Sequence, residues 1–386
     1  MARGTLTTAA TTEEDFLPTL TRTRRGPESD IGDIADKVFA GERLSGEDAL
    51  RLFHHPNLND LALLADFVRQ KKNPGRTVTY VIGRNINYTN VCWVRCKFCN
   101  FYRTPNQDGG YVLPKETIFR KIEEMVAVGG VEILMQGGLN PKLKIEWYED
   151  LLSSIMERFP SVILHAFSPA ELIYIKNISR LSMEETLTRL KNAGLHSVPG
   201  GGAEILVDRV RDFISPYKDT ADEWLDCMRV AHKVGLHTSA TMMYGSIDTF
   251  EDRVEHLLKL RDLQEESLEQ YPAHFRAFIA WNYQPDGTEL GGIRASGFDY
   301  LRTIAISRIV LDNFPHIQAS WVTQGPKIGQ ISLRYGVDDF GSTMMEENVV
   351  SAAGCVFAVP IEEMERLITD AGYEPRVRNT RYELLD

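Results

Sequence analysis

Long apolar runs, basic charge and cysteine are all scarce in this sequence, and each scarcity excludes a class of protein. No apolar run approaches the ~20 residues that a membrane span needs. Acidic residues outnumber basic ones by 54 to 43, for a net charge of −11, so a nucleic-acid partner is not favoured. Five cysteines in 386 residues, with no secretory signal, point to a reducing cytoplasm rather than a disulfide framework. No motif recurs with a period of ~20–50 residues, so a solenoid is not indicated. The balance, 43% hydrophobic and 25% charged, is that of an ordinary globular chain. Its length suits one large domain with additions, or two domains.

Scarce as cysteine is, three of the five fall within eight residues. The stretch 85–103, NINYTNVCWVRCKFCNFYR, carries Cys92, Cys96 and Cys99 as C-x3-C-x2-C, with Phe98 just before the last. A short loop can fold three such thiolates to one side, and thiolates are the usual ligands of iron–sulfur clusters. Three protein ligands on a four-iron cube leave one iron open for chemistry. A zinc site wants four ligands, and only the distant Cys227 and Cys355 remain. An electron-carrier ferredoxin supplies four cysteines in a much smaller chain.

Residues 1–30 read as a mobile tail, and 31–77 as a helical lead-in opened in part by a Ser45–Asp48 capping box. The β-branched run 78–82 is a first strand that feeds the cysteine loop. Strands are expected at 131–135, 162–167, 197–198, 238–244, 275–283, 318–323 and 339–343. Helical periodicity lies between them, at 117–128, 147–159, after Ser182, after Thr220, at 249–265 and at 300–314. About eight strand–helix units over 78–345 predict an α/β fold, a parallel (β/α)8 TIM-type barrel. An open barrel of about six units is the alternative. Residues 346–386 are a C-terminal extension with a helix at 361–371. The active site belongs at the C-terminal ends of the strands, where the cysteine loop also lies.

Those strand ends supply the other candidates. Gln136-Gly137-Gly138 is either an ordinary tight turn or a place where backbone must approach a ligand. Gly200-Gly201-Gly202 has more glycine than a turn needs, and Glu204 beyond it is either a ligand for a hydroxyl or a solvated charge. His165 and Ser168 end one strand; the histidine is a base or a hydrogen-bonded core residue. Met243 and Tyr244 end another. Trp281, Tyr283 and Gln284, then Trp321 and Thr323, place aromatic and amide groups at the mouth. Asp338, Asp339, Glu346 and Glu347 sit by the last strand, as a base or as surface charge. Cys227, beside Trp224, Met228 and Ala231, reads as core, and Cys355 likewise.

The C-x3-C-x2-C loop resembles that of the radical S-adenosylmethionine (SAM) enzymes. More narrowly, GRNINYTNVC (83–92), CKFCNFYR (96–103), PGGGAEIL (199–206) and TMMYG (241–245) resemble the futalosine-pathway and deazaflavin-synthase group. FRAFIAWNYQPDGTEL (275–290), ASWVTQGPKIGQ (319–330) and YGVDDFGSTMMEENVV (335–350) resemble its dehypoxanthine futalosine cyclases, which serve menaquinone biosynthesis. One departure is Asp248, where many relatives carry a histidine and a glutamate nearby. The resemblance implies a [4Fe-4S] cluster on Cys92, Cys96 and Cys99, whose open iron chelates S-adenosyl-L-methionine. It implies SAM contacts from Gln136, Gly137, Gly138, Ser168, Gly200, Gly201, Glu204 and Tyr244. It implies an electron donor such as flavodoxin or ferredoxin, and a small-molecule substrate, dehypoxanthine futalosine. A 5′-deoxyadenosyl radical takes hydrogen from C4′ of that substrate's ribose, the carbon radical adds to the benzoate ring, and an electron and a proton leave. His165, Asp338 or Asp339 is then expected as the final base, and Arg84, Arg276, Trp281, Gln284 and Thr323 as substrate contacts. Aminofutalosine synthase or deazaflavin-synthase chemistry is the alternative, and a non-catalytic iron–sulfur or zinc protein a remote one.

Overall fold

The computed structural model describes residues 30–385; the N-terminal tail expected at 1–30 lies, but for its last residue, outside them. Three helices come first: α1 (Gly32–Ala40), α2 (Gly46–His54) and α3 (Leu58–Lys72). The Ser45–Asp48 box opens α2, with Asp48 N–H donating to Ser45 Oγ at 3.1 Å and Ser45 N–H donating to the Asp48 carboxylate at 3.0 Å. These helices bury Leu52, Phe53, Leu61 and Leu64 against a helical layer formed by the rest of the chain.

That layer surrounds strands that all run parallel. β1 (Thr77–Val81) and β2 (Gly83–Ile86) form one run interrupted at Ile82. Then come α4 (Lys115–Val126), β3 (Glu132–Met135), α5 (Ile145–Arg158), β4 (Ile163–Ala166), α6 (Pro169–Ser179), α7 (Met183–Asn192) and β5 (Ser197–Val198). The chain continues through α8 (Asp208–Ile214), α9 (Ala221–Lys233), β6 (His237–Tyr244), α10 (Phe250–Gln270), β7 (Phe275–Asn282), α11 (Gly297–Val310) and β8 (His316–Gln318). It ends with α12 (Trp321–Gln324), α13 (Pro326–Ser332), β9 (Asp339–Ser342), α14 (Ile361–Asp370) and β10 (Glu374–Val377). The sheet order is β10-β1-β9-β8-β7-β6-β5-β4-β3-β2. Because β1 pairs with β9 while its continuation β2 pairs with β3, one run of chain is bonded on both sides. Thr343 N–H donates to Val81 O and Val131 N–H to Ile82 O, each at 3.0 Å. The barrel is therefore closed, and β10 is a strand added outside β1. Closure removes the exposed edges an open sheet would present.

Three details differ from the sequence reading. The strand expected at 318–323 stops at Gln318, because Ser320 N–H turns to the Tyr300 hydroxyl (2.9 Å) and the chain winds into α12. Where that reading has only the end of a strand, α6 begins, although Ser168-Pro169-x-Glu171 is a capping box with proline at the first turn. β10 has a proline and alternating charge, and becomes a strand only through its register with Thr77–Tyr80. No helix among the described residues is long and apolar enough to cross a membrane.

Candidate active site

The cysteine loop leaves β2 and lies across the C-terminal mouth of the barrel. Backbone bonds hold it: Cys92 N–H to Arg103 O (2.9 Å), Gly138 N–H to Thr89 O (2.9 Å), Trp93 N–H to Leu139 O (3.3 Å) and Lys97 N–H to Ile214 O (2.9 Å). Arg95 adopts a left-handed φ of 57° between the first two cysteines, which turns the loop sharply. All three thiols are free and line one cavity; Cys92 is buried, while Cys96 and Cys99 are half-buried. Burial pushes all three thiols up, Cys96 to about 12, while the Lys218 ammonium pulls each back. Among the described residues no three His, Cys, Asp or Glu side chains gather closely enough for a single metal ion. A four-iron cube binds each protein sulfur through a different iron, so three thiols on one loop, facing one cavity, fit a cluster better than an ion.

The glycines beside the loop are required by its approach. A Cβ on Gly137 would meet the Tyr88 ring at 2.7 Å, and one on Gly138 would collide with Val91 O and Cys92 Cβ. Glu171 fastens this region. Its carboxylate accepts from Tyr88 OH (2.6 Å), Gly137 N–H (2.9 Å), Ser168 N–H (2.8 Å) and Ser168 Oγ (2.7 Å), so one buried acid ties the cysteine loop to the ends of β3 and β4. Burial raises its pKa and these donors draw it down. On the other side Glu204, at φ 41°, is ion-paired with the buried Lys218, whose ammonium sits over the Phe98 ring at 5.7 Å.

A cavity of about 440 Å³ runs from this mouth down the barrel. It brings together the three cysteines with Gln136, Gly137, Gly138, His165, Ser168, Gly200, Gly201 and Glu204, and also Arg276, Trp281, Gln284 and Thr323. His165 lies midway down. Its Nδ1 is 2.7 Å from Ser197 Oγ, and burial with the nearby Arg276 and Arg378 lowers its pKa to about 3, so the ring is neutral.

Four expected residues do not line the cavity. Tyr244 and Arg84 point outward because side chains alternate along a strand, and Thr241, Met243 and Asn85 take the inward places. Tyr244 is fully buried behind the sheet under the Arg253 guanidinium, 4.5 Å from its ring centre. Arg84 pairs with Glu124 (2.6 Å) and Glu346 (2.9 Å). Asp338 and Asp339 sit at the start of β9, the opposite end of the barrel from the cysteines. Asp338 is engaged by Arg308 and by His316 (2.6 Å), and Asp339 by Arg378 (2.5 Å) and Thr79 (2.6 Å).

Sequence reasoning missed Glu171, Glu132, Arg378, Thr380 and Tyr382 as cavity residues, and named Glu347 only among the acids near the last strand. Glu171 was signalled by its capping box. Glu347, one acid among several near the last strand, lines the cavity and accepts from Asn85 Nδ2 (2.7 Å) and from the N–H groups of Val349 (2.5 Å) and Val350 (2.8 Å). Glu132, Arg378, Thr380 and Tyr382 close the far end, where Thr380 Oγ1 donates to Glu132 at 2.6 Å. No local pattern marks a C-terminal segment as a barrel floor.

A closed parallel barrel with three free cysteines at its mouth defines an iron–sulfur enzyme class, and the chain belongs to the radical SAM superfamily, whose family model matches residues 86–260. A second model, the CofH/MqnC C-terminal region, matches residues 272–386. The chain is 47% identical to the cyclic dehypoxanthine futalosine synthase of Halalkalibacterium halodurans, over 92% of this chain and 95% of that one. It is 42% identical to the protein of the same name from Streptomyces coelicolor, over 92% and 89%. It is 39% identical to the aminodeoxyfutalosine synthase of Thermus thermophilus, over 90% and 94%. In fold it is similar to methylornithine synthase, with a TM-score of 0.69 at 18% identity, over 88% of this chain and 96% of that one.

Proposed function

We propose that the protein closes a ring in dehypoxanthine futalosine, giving cyclic dehypoxanthine futalosine for menaquinone synthesis. The observation that carries this reading is the 47% identity spanning 92% of this chain and 95% of its relative. On this reading Cys92, Cys96 and Cys99 hold a [4Fe-4S] cluster, and S-adenosyl-L-methionine lies along Gln136 to Gly138, Ser168, Gly200, Gly201 and Glu204. When bound, the pair supplies the 5′-deoxyadenosyl radical that takes hydrogen from C4′ of the ribose. The chain's own residues do the rest. The closed barrel keeps bulk water from the reacting carbon. Trp281, Gln284 and Thr323 hold the substrate so that ring and C4′ meet, since proximity supplies most of the help available.

The last proton goes to Glu347. It is a cavity carboxylate with no cation hydrogen-bonded to it among the described residues, and burial raises its pKa; His165 is held too weakly basic, and Asp338 and Asp339 are engaged elsewhere. Glu347→Gln should leave 5′-deoxyadenosine formation intact while cutting cyclised product about 100-fold, within the range of general-base loss. The electron that starts the reaction comes from a small carrier such as flavodoxin or ferredoxin in a reducing cytoplasm, and the electron released with the last proton would pass to an oxidised carrier of the same class.

The test is anaerobic. Protein with its cluster rebuilt is given SAM, a strong reductant and dehypoxanthine futalosine, and the products are weighed. Product two hydrogens lighter than substrate, with 5′-deoxyadenosine alongside, is the expected result. Deoxyadenosine without that product would overturn the substrate assignment and favour the aminodeoxyfutalosine reaction, to which the 39% identity of the Thermus relative also points.

A further inference from the structure

The cavity is graded along its axis. At the mouth lie the cysteines, Gln136 and the backbone of Gly200 and Gly201. Midway, Leu134 of β3 and Ile279 of β7 face inward as apolar side chains, with the polar His165, Thr241 and Gln318 at the same level. At the floor, Arg276 of β7 and Thr380 of the C-terminal segment meet, with Arg276 Nη1 donating to Thr380 O at 3.0 Å. β7 rises ~3.3 Å per residue and barrel strands tilt by ~36°, so Arg276 sits roughly 13 Å deeper along the barrel axis than Trp281.

Three cations line this cavity: Lys218, Arg276 and Arg378. Lys218 is neutralised by Glu204 and Arg378 by Asp339. Arg276 alone has no carboxylate within ion-pair distance among the described residues; its hydrogen bond goes to a backbone carbonyl, and Glu383 acts on it only from farther off. A half-buried guanidinium presents a planar fork that matches a carboxylate, and leaving it unmatched is unfavourable. Burial and the neighbouring Arg381 lower its pKa only to about 10, so it remains charged at neutral pH.

We infer that Arg276 receives the carboxylate of the substrate's benzoate at the barrel floor, with the aromatic ring between Leu134 and Ile279 and the ribose toward the cysteines. The inference rests on the substrate assigned above, whose groups run in that same order: carboxylate, ring, ribose. It also gives the C-terminal segment a role in recognition, because Thr380 fixes the guanidinium from below. Arg276 and Thr380 both fall in the 272–386 region and outside the residues matched by the general superfamily model.

The test compares dehypoxanthine futalosine with its carboxamide analogue, using full-length protein with its cluster rebuilt. Wild type should favour the carboxylate by about 100-fold in kcat/KM, the scale of a desolvated charge pair. Arg276→Gln should reduce that preference to a few-fold or less while still cleaving SAM. Arg276→Lys should retain part of it, and carries the test if the glutamine variant does not take up a cluster. An unchanged preference in a variant that cleaves SAM overturns the anchor alone. A wild-type chain that cleaves SAM but cyclises neither compound overturns the substrate assignment and this inference with it.

Discussion

The two ends of the barrel present different groups to the cavity. The mouth is held mainly by backbone bonds, glycine close approaches and one shared carboxylate, Glu171, with the Lys218–Glu204 pair to one side. The floor is held by buried ion pairs: Arg378 with Asp339, and Arg308 with Asp338, beneath which Tyr382 stacks on His316 at 3.8 Å. Buried ion pairs support the mouth too, Arg211–Asp219 and Arg253–Asp248, but they stand behind the cavity lining, so thiols and backbone N–H groups stay available to a ligand. The floor must exclude water, and charge networks that satisfy one another do so rigidly. That Arg276 stands outside these pairs is what makes it conspicuous.

The contrast can be attacked from either end. The largest effect is expected from Cys96→Ala, which should abolish cluster absorbance and 5′-deoxyadenosine formation while far-ultraviolet circular dichroism stays unchanged. Next, Arg378→Met strands the Asp339 carboxylate in the floor and should cost about 3–5 kcal/mol in urea unfolding. If the floor is merely packed, the loss will be under ~1 kcal/mol, and the pairing account fails. At the mouth, Gly138→Ala should cost about 1–3 kcal/mol by overpacking and lower the iron bound per chain, because the added methyl meets Val91 and Cys92; full iron content would show that the loop yields.

The smallest effect at neutral pH is a change of slope seen on acidification. His232, buried with Ser267 Oγ at 2.7 Å and Thr238 Oγ1 at 2.8 Å near the start of β6, has its pKa lowered by burial to about 3. Unfolding frees the ring to titrate near its ordinary value of 6.5, so below that pH the unfolded chain binds the extra proton. Stability from this group is therefore present above pH 6.5 and lost as pH falls toward 3. His232→Gln should flatten the stability–pH curve there by about 1.4 kcal/mol per pH unit, measured as urea midpoints.

Much of this was legible from the chain. The cysteine loop, the glycine turns and the strand–helix alternation are local signals, and the capping boxes at Ser45 and Thr220 mark helix starts as expected, while Ser182 caps its helix without the reciprocal bond from Glu185. Errors fell where a local pattern has two phases. Alternation says that Met243 and Tyr244 face opposite ways, but not which one faces inward. Asp338 and Asp339 lie beside a strand, yet the sequence does not say at which end their side chains act. β10 and the floor were invisible, because residues 374–382 have no apolar pattern of their own.

Residue order alone dictates the chemistry available: three clustered thiols, glycine where backbone must come close, and enough strand–helix units to surround a cavity. Which charges are already neutralised is settled by the folded barrel and by nothing local. Ion pairs such as Arg378–Asp339 join residues 39 apart in sequence, and Arg308–Asp338 residues 30 apart. Their energies depend on burial and distance, which exist only once the barrel has closed.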